Sequence, residues 1–182
     1  KHLDEEIAEI KNEVVSTYTG GLNKNDIPYI YDAYAYNYFE EVHKTEYNYP
    51  ISFVVTNQAR DGVEANSRGI TYGDLYKSLP FDNYLVLCKT TKSDLGSFQN
   101  PSYRNNYWIP GSGQISTKTQ WSSFKSSLSS SETYYFLTIN YLSEGSYYAP
   151  YCEVVENFME EDAMPRNIIK RYLSGYPSNC SF

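Results

Sequence analysis

A short segment around Arg104 holds the side chains best suited to bind a small ligand. Tyr103 precedes this arginine, and Tyr107 and Trp108 follow it within four positions. A guanidinium can hold a carboxylate through paired hydrogen bonds while aromatic rings cover the apolar body of the same ligand. Tyr135, on a later predicted strand, is included in this candidate ligand-binding set. The alternative is a loop pinned to the sheet by Tyr107 and Trp108, with Arg104 exposed.

Other residue types that could do chemistry are not arranged for it. His2 and His43 lie in different predicted helices without Cys, Asp or Glu at ligand spacing, so we expect no metal and no cofactor. The adjacent carboxylates Glu40 and Glu41 are typical of a solvated helix face rather than of an acid/base pair. The glycines around Ser112 lack the Lys-Ser/Thr of a phosphate loop. We therefore assign no catalytic residue and expect a non-catalytic protein.

The three cysteines are too few for a disulfide scaffold and lack the paired spacing of a zinc site. Two interpretations stay open for the later pair. Cys152 and Cys180 could form a disulfide that ties the tail to the strand region before it, or both could be free, buried thiols.

Composition limits the compartment and the partners. The net charge is −7, with 22 acidic against 15 basic residues and no basic cluster, so we expect no nucleic-acid partner. No run approaches the roughly 20 apolar residues that span a bilayer, so contact with a membrane would come only from spans outside this chain. The start at Lys1 without Met fits an excised piece of a longer protein, and the Tyr-, Asn- and Ser-rich composition is typical of exported bacterial domains. At 182 residues and 41% apolar content, one domain over 1–182 is expected.

Two helices are predicted within residues 1–45. In the first, Leu3, Ile7, Ile10 and Val14 recur at helical spacing among charged residues. That apolar stripe fits either a face packed on the core or a coiled-coil seam, which two heptads are too few to distinguish. The second helix begins at Asp26 as N-cap, and its tyrosines at helical spacing predict a core-facing stripe: Tyr31, Tyr34 and Tyr38.

Residues 50–156 form the predicted sheet region. Residues 51–56 and 63–66 are predicted to pair as a hairpin across a polar, glycine-containing turn. Further strands are predicted at 84–89, 134–141 and 151–155, and short helices at 74–79, 121–128 and 168–173. This order predicts an α+β fold in which the helices pack on one face of a single, mostly antiparallel sheet.

The layout of residues 51–89 resembles the extracytoplasmic PAS-like sensor domains called Cache domains. The shared features are the long N-terminal helix, the strand 51–56, the turn Arg60-Asp61-Gly62, a short strand ending at Ser67, and a later central strand at 84–88. The resemblance implies a PAS-like sheet in the extracytoplasmic part of a bacterial receptor or sensor kinase. The segment from Tyr103 to Trp108 occupies the place where the ligand loop of that family would run.

Three functional hypotheses follow. The first is a non-catalytic sensory domain at the cell surface that binds a small-molecule ligand, signals through its N-terminal helix and forms a homodimer through that helix. The second is a structural or adhesive surface protein, such as a pilin-like subunit, with the Cys152–Cys180 link as a staple. The third is a small secreted hydrolase whose catalytic groups meet only in space.

Overall fold

A computed structural model describes residues 2–56, 59–96, 107–145 and 151–180. Its α-helices are α1 (His2–Asn12), α2 (Ile27–Tyr38), α3 (Tyr72–Ser78), α4 (Lys92–Gly96), α5 (Lys118–Ser127), α6 (Asn140–Glu144) and α7 (Pro165–Tyr172). Its strands are β1 (Val14–Ser16), β2 (Ile51–Val54), β3 (Ile70–Thr71), β4 (Leu85–Thr91), β5 (Tyr107–Ile109), β6 (Gly113–Ile115), β7 (Thr133–Ile139) and β8 (Glu153–Phe158). A π-helical turn, Phe39–His43, continues α2, and 3₁₀ turns precede and follow α7. No helix within these ranges is long and apolar enough to cross a bilayer.

Six of the strands form one mixed sheet in the order β6-β5-β2-β7-β4-β8. β2 runs parallel to β7, with Val54 opposite Leu137, while the other neighbouring pairs are antiparallel. The predicted α+β class is confirmed. The predicted hairpin is wrong, because β5 and β7 occupy both edges of β2. Residue Val63, expected in the returning strand, instead bridges Leu22.

Helices cover both faces of this sheet, which corrects the prediction that they lie on one. Trp108 of β5 packs on Tyr36 of α2, with ring centroids 5.1 Å apart. Its neighbour Tyr107 stacks on Trp121 of α5 at 4.4 Å. Successive residues of a strand point to opposite faces, so α2 and α5 lie on opposite sides. Between these layers the first four residues of β4 are fully buried, as expected for a strand covered on both faces.

α2 begins at the predicted place, after Asp26 and with proline in its first turn. Its predicted tyrosine stripe is confirmed, since Tyr31, Tyr34 and Tyr38 are all buried. In α1, by contrast, Ile7 and Ile10 are 42% and 55% exposed. The core-stripe interpretation is wrong for these residues because α1 packs only lightly, mainly along α3. Homodimerisation through this helix stays a prediction.

The disulfide joins Cys88 of β4 to Cys152, just before β8, and not Cys152 to Cys180. The pairing of β8 with β4 explains it, because Cys88 lies opposite Val154 and so close to the start of the edge strand. Cys180 keeps a free, buried thiol. The Cys152–Cys180 link is therefore wrong, and the alternative of free, buried thiols is confirmed for Cys180 but wrong for Cys152.

Reduction of the disulfide should destabilise the protein markedly. The bridge closes a chain segment with a sequence separation of 64 residues. Without that constraint the unfolded chain gains conformational entropy, so the free energy of unfolding should fall by about 4 kcal/mol. Urea unfolding with and without a thiol reductant measures it, and a Cys180→Ala control should show the same loss. An unfolding free energy that reduction does not change would contradict the assignment.

Candidate functional site

The candidate site lies at the edge of the sheet where β2 and β7 end. These strands are parallel, so their carboxyl-terminal ends meet at one edge. β4 is antiparallel to β7, with Leu85 opposite Ile139, and therefore begins at that same edge. Chain leaving β2 and chain entering β4 consequently come together there. Carboxyl-terminal strand ends are a common place for ligand sites in mixed sheets.

A cavity of about 290 Å³ opens at this edge. Its apolar walls include Leu79, Pro80 and Ile139. Its polar and aromatic groups come from three segments of the chain that are distant in sequence: Lys24, Tyr31, Arg60, Phe81 and Asn83. We refer to this cavity as the strand-end pocket.

Two cations line the strand-end pocket. Lys24 and Arg60 are both exposed, and neither has an ion-pair partner in the described part of the chain. The backbone N–H of Arg60 donates to the carbonyl of Ser78 at 2.7 Å, which fixes its loop to the end of α3. Two unpaired cations beside one cavity attract an anion, even in a chain of net charge −7.

Tyr31 of α2 also lines the pocket, and its hydroxyl is buried. Its ring is 1% exposed, and its hydroxyl has no hydrogen-bond partner among the described residues. Burial raises the pKa of Tyr31 above its usual value, so the group stays a neutral phenol. A buried, unpaired hydroxyl is costly, and an ordered water or a polar ligand atom that reached it would offset this cost.

Phe81 presents its ring at the pocket and is 62% exposed. It follows Pro80 at the turn between α3 and β4, and the side chain of Asn83 lines the pocket two residues later. An exposed large aromatic ring beside a cavity is suited to stack on a planar ligand group.

Asp32 of α2 lies beneath this region and is completely buried. Thr56, two residues past β2, donates its hydroxyl to one carboxyl oxygen of Asp32 at 2.5 Å. The other oxygen has no partner within the described ranges. Burial raises the pKa of Asp32 well above its usual value, although the hydrogen bonds from Thr56 oppose the shift. The contact ties α2 to the chain that continues to Arg60.

Three of the residues predicted to bind a ligand, Tyr107, Trp108 and Tyr135, do not line this pocket. Tyr103 and Arg104 lie outside the described residues. Tyr107 and Trp108 pack on opposite faces of the sheet, and Tyr135 stacks on Tyr49 with ring centroids 4.1 Å apart. Ligand binding by these five stays a prediction, because their packing alone does not test it.

Sequence reasoning missed the residues of the strand-end pocket. The one available signal was local: a large apolar residue, Phe81, stands between Pro80 and the polar pair Asp82-Asn83. Nothing in the sequence links that turn to Arg60, since only the pairing of β2, β7 and β4 brings them together. No group of three His, Cys, Asp or Glu side chains suited to a metal ion occurs in the described part of the chain.

The fold is one that occurs within nucleotidases. No family model and no curated protein sequence matches the chain. A 5′-nucleotidase precursor from Thermus thermophilus matches over 94% of this chain, with TM-score 0.58 and 14% identity. A putative 5′-nucleotidase from Staphylococcus aureus in complex with alpha-ketoglutarate matches over 94%, with TM-score 0.58 and 11% identity. An NAD nucleotidase from Haemophilus influenzae matches over 97%, with TM-score 0.55 and 12% identity. This chain spans only 38–40% of the length of those three.

These matches correct the Cache-like interpretation. At 11–14% identity the likeness shows the fold alone, and the three matched structures are nucleotidases rather than PAS-like sensors. The resemblance to Cache domains depended on a hairpin within residues 51–66, and this hairpin does not form. The expectations of a non-catalytic sensor, a receptor and a signalling role are therefore wrong. The hypothesis of a small secreted hydrolase fits the comparisons better.

The buried carboxyl of Asp32 should give the protein a measurable pH dependence. Because its pKa is raised in the folded state, the unfolded chain loses this proton at lower pH than the folded protein does. As the pH rises from about 4 towards the raised pKa, the unfolding free energy of the wild type should fall relative to Asp32→Asn, by up to about 1.4 kcal/mol per pH unit. Urea unfolding over that pH range measures the difference, with the exposed Asp61→Asn as control. A difference that is constant with pH, or that grows in favour of the wild type, would contradict the assignment.

Proposed function

We propose that this domain binds a nucleoside 5′-monophosphate in the strand-end pocket, as the nucleotide-binding part of a phosphate-ester hydrolase. The observation that carries the proposal is the convergence on one cavity of an exposed aromatic ring and two cations that have no ion-pair partner among the described residues. The fold likeness to nucleotidases supports the same substrate class.

The cations Arg60 and Lys24 suit the phosphate group. A guanidinium offers donors in a planar fork that matches two phosphate oxygens, while an ammonium adds a point charge. Neither group must first give up an ion-pair partner among the described residues. Binding a dianion therefore costs no competing salt bridge in that part of the chain.

Phe81 and Asn83 suit the nucleoside. The exposed face of Phe81 is available for stacking on a base, and stacking of this kind tolerates every base. The amide of Asn83 can both donate and accept at a base edge. The cavity volume of about 290 Å³ is at the lower end for a ligand site, so part of the nucleotide would stay at the surface.

The reaction of the whole protein would be hydrolysis of the phosphate ester. Water attacks phosphorus, the P–O bond to the nucleoside breaks, and the products are the nucleoside and inorganic phosphate. In this scheme Arg60 and Lys24 hold the phosphate and stabilise the negative charge on its oxygens. The proposal also places the protein outside the cytoplasm, because structural disulfides such as Cys88–Cys152 persist in oxidising compartments.

Replacement of Arg60 should weaken nucleotide binding. The change Arg60→Gln removes charge-assisted hydrogen bonds to phosphate, so we expect adenosine 5′-monophosphate to bind about tenfold more weakly. Calorimetric titration measures this, and added salt should weaken the wild type more than the variant. The matched control is Arg68→Gln, since Arg68 is exposed but paired with Asp74 at 3.0 Å. If both variants lost the same affinity for the nucleotide, or if neither lost any, the result would contradict the proposed site.

Replacement of Phe81 should affect the nucleoside half of the ligand. For Phe81→Ala we expect roughly tenfold weaker binding of adenosine and unchanged binding of ribose 5-phosphate, because only a stacking surface is lost. Tyr141→Ala is the control, since it removes an exposed ring that does not line the pocket. If ribose 5-phosphate weakened as much as adenosine, the stacking role of Phe81 would be rejected.

A further inference from the structure

A buried arginine of α7 forms hydrogen bonds with the turn that carries Phe81. Arg166 is 6% exposed, and arginine is seldom buried unless it is paired. Its guanidinium donates to the carbonyl oxygens of Leu79 at 2.9 Å and Phe81 at 3.3 Å. It also donates to the carboxylate of Asp82. All three acceptors belong to the segment of residues 79–82, more than 80 positions earlier in the chain.

The ring of Tyr76 also contacts this guanidinium, whose central carbon lies 4.7 Å from the ring centroid. The planar guanidinium can lie over an aromatic face and donate to several acceptors around its edge at once. An ammonium at position 166 could not reach the same set, because its donors radiate from one atom. The side chain is therefore matched to the conformation of this turn.

We propose that Arg166 is a positioning residue that holds segment 79–82 in the conformation presenting Phe81 to the nucleoside, an inference that rests on the proposed function. Pro80 has no N–H, so the segment has one backbone donor fewer with which to fix its own conformation. The carbonyls of Leu79 and Phe81 take their hydrogen bonds from Arg166. Without Arg166 the turn would exchange among conformations, and the ring would cover the pocket for only part of the time.

Proteolysis tests the positioning role without a ligand. Chymotrypsin cleaves after exposed aromatic residues once the local chain is free to move. For Arg166→Lys we expect cleavage after Phe81 to rise by about tenfold relative to cleavage after the exposed Tyr141, which reports general loosening. Lys170→Met is the matched control, because Lys170 lies one turn further along α7 and pairs instead with Glu13 at 2.7 Å.

A second variant covers the case in which Arg166→Lys fails to fold. Asp82→Asn removes only the exposed partner of the guanidinium, whose side chain is 70% accessible. It should raise the same cleavage ratio in the same direction by a smaller factor. A ratio equal to that of Lys170→Met in both variants would overturn the proposal.

Binding of two partial ligands separates this inference from the proposed function. In Arg166→Lys we expect about fivefold weaker binding of adenosine and unchanged binding of ribose 5-phosphate, because the stacking ring alone is misplaced. An equal loss of affinity for both probes would indicate a merely structural role and overturn the inference. A wild-type protein that binds neither probe would overturn the nucleotide-binding proposal and the ligand role of Arg166 with it. The cleavage ratio would still decide whether Arg166 holds the segment.

Discussion

The parallel pairing of β2 with β7 is the constraint on which the strand-end pocket depends. It puts Val54 and Ile139, the last residues of the two strands, at the same edge of the sheet. Since β4 pairs antiparallel with β7, the turn before β4 reaches that edge as well. If β2 were antiparallel to β7, it would end at the opposite edge of the sheet. The chain that leads from β2 to Arg60 would then leave the sheet far from the pocket. The pocket would then lose one of its two cations.

Two helices hold the loops that this pairing brings together. α2 reaches the chain after β2 through the buried contact between Asp32 and Thr56. α7 reaches the turn before β4 through Arg166. Both contacts use a buried polar side chain, which is costly unless it is well paired, so each is sensitive to the exact position of its helix. Packing of the helices on the sheet is thereby coupled to the geometry of the pocket.

Elements with strong local periodicity were predictable from the sequence. The tyrosine stripe of α2 and the apolar run that forms β4 are examples, because their residues are spaced by the geometry of one helix or one strand. β5 was missed because it has only three residues inside a polar, glycine-containing stretch. The partner of Cys152 was missed because connectivity depends on which strands pair, and the pocket was missed for the same reason. Its residues share no local pattern and meet only through contacts between distant segments.

A crystal structure of the protein with adenosine 5′-monophosphate would locate the nucleotide. We expect the phosphate within hydrogen-bonding distance of Arg60, with Lys24 nearby and the base stacked on Phe81. Nucleotide bound elsewhere, for example against Tyr135 or Trp108, would contradict it. So would a strand-end pocket left empty at a nucleotide concentration that saturates binding in solution.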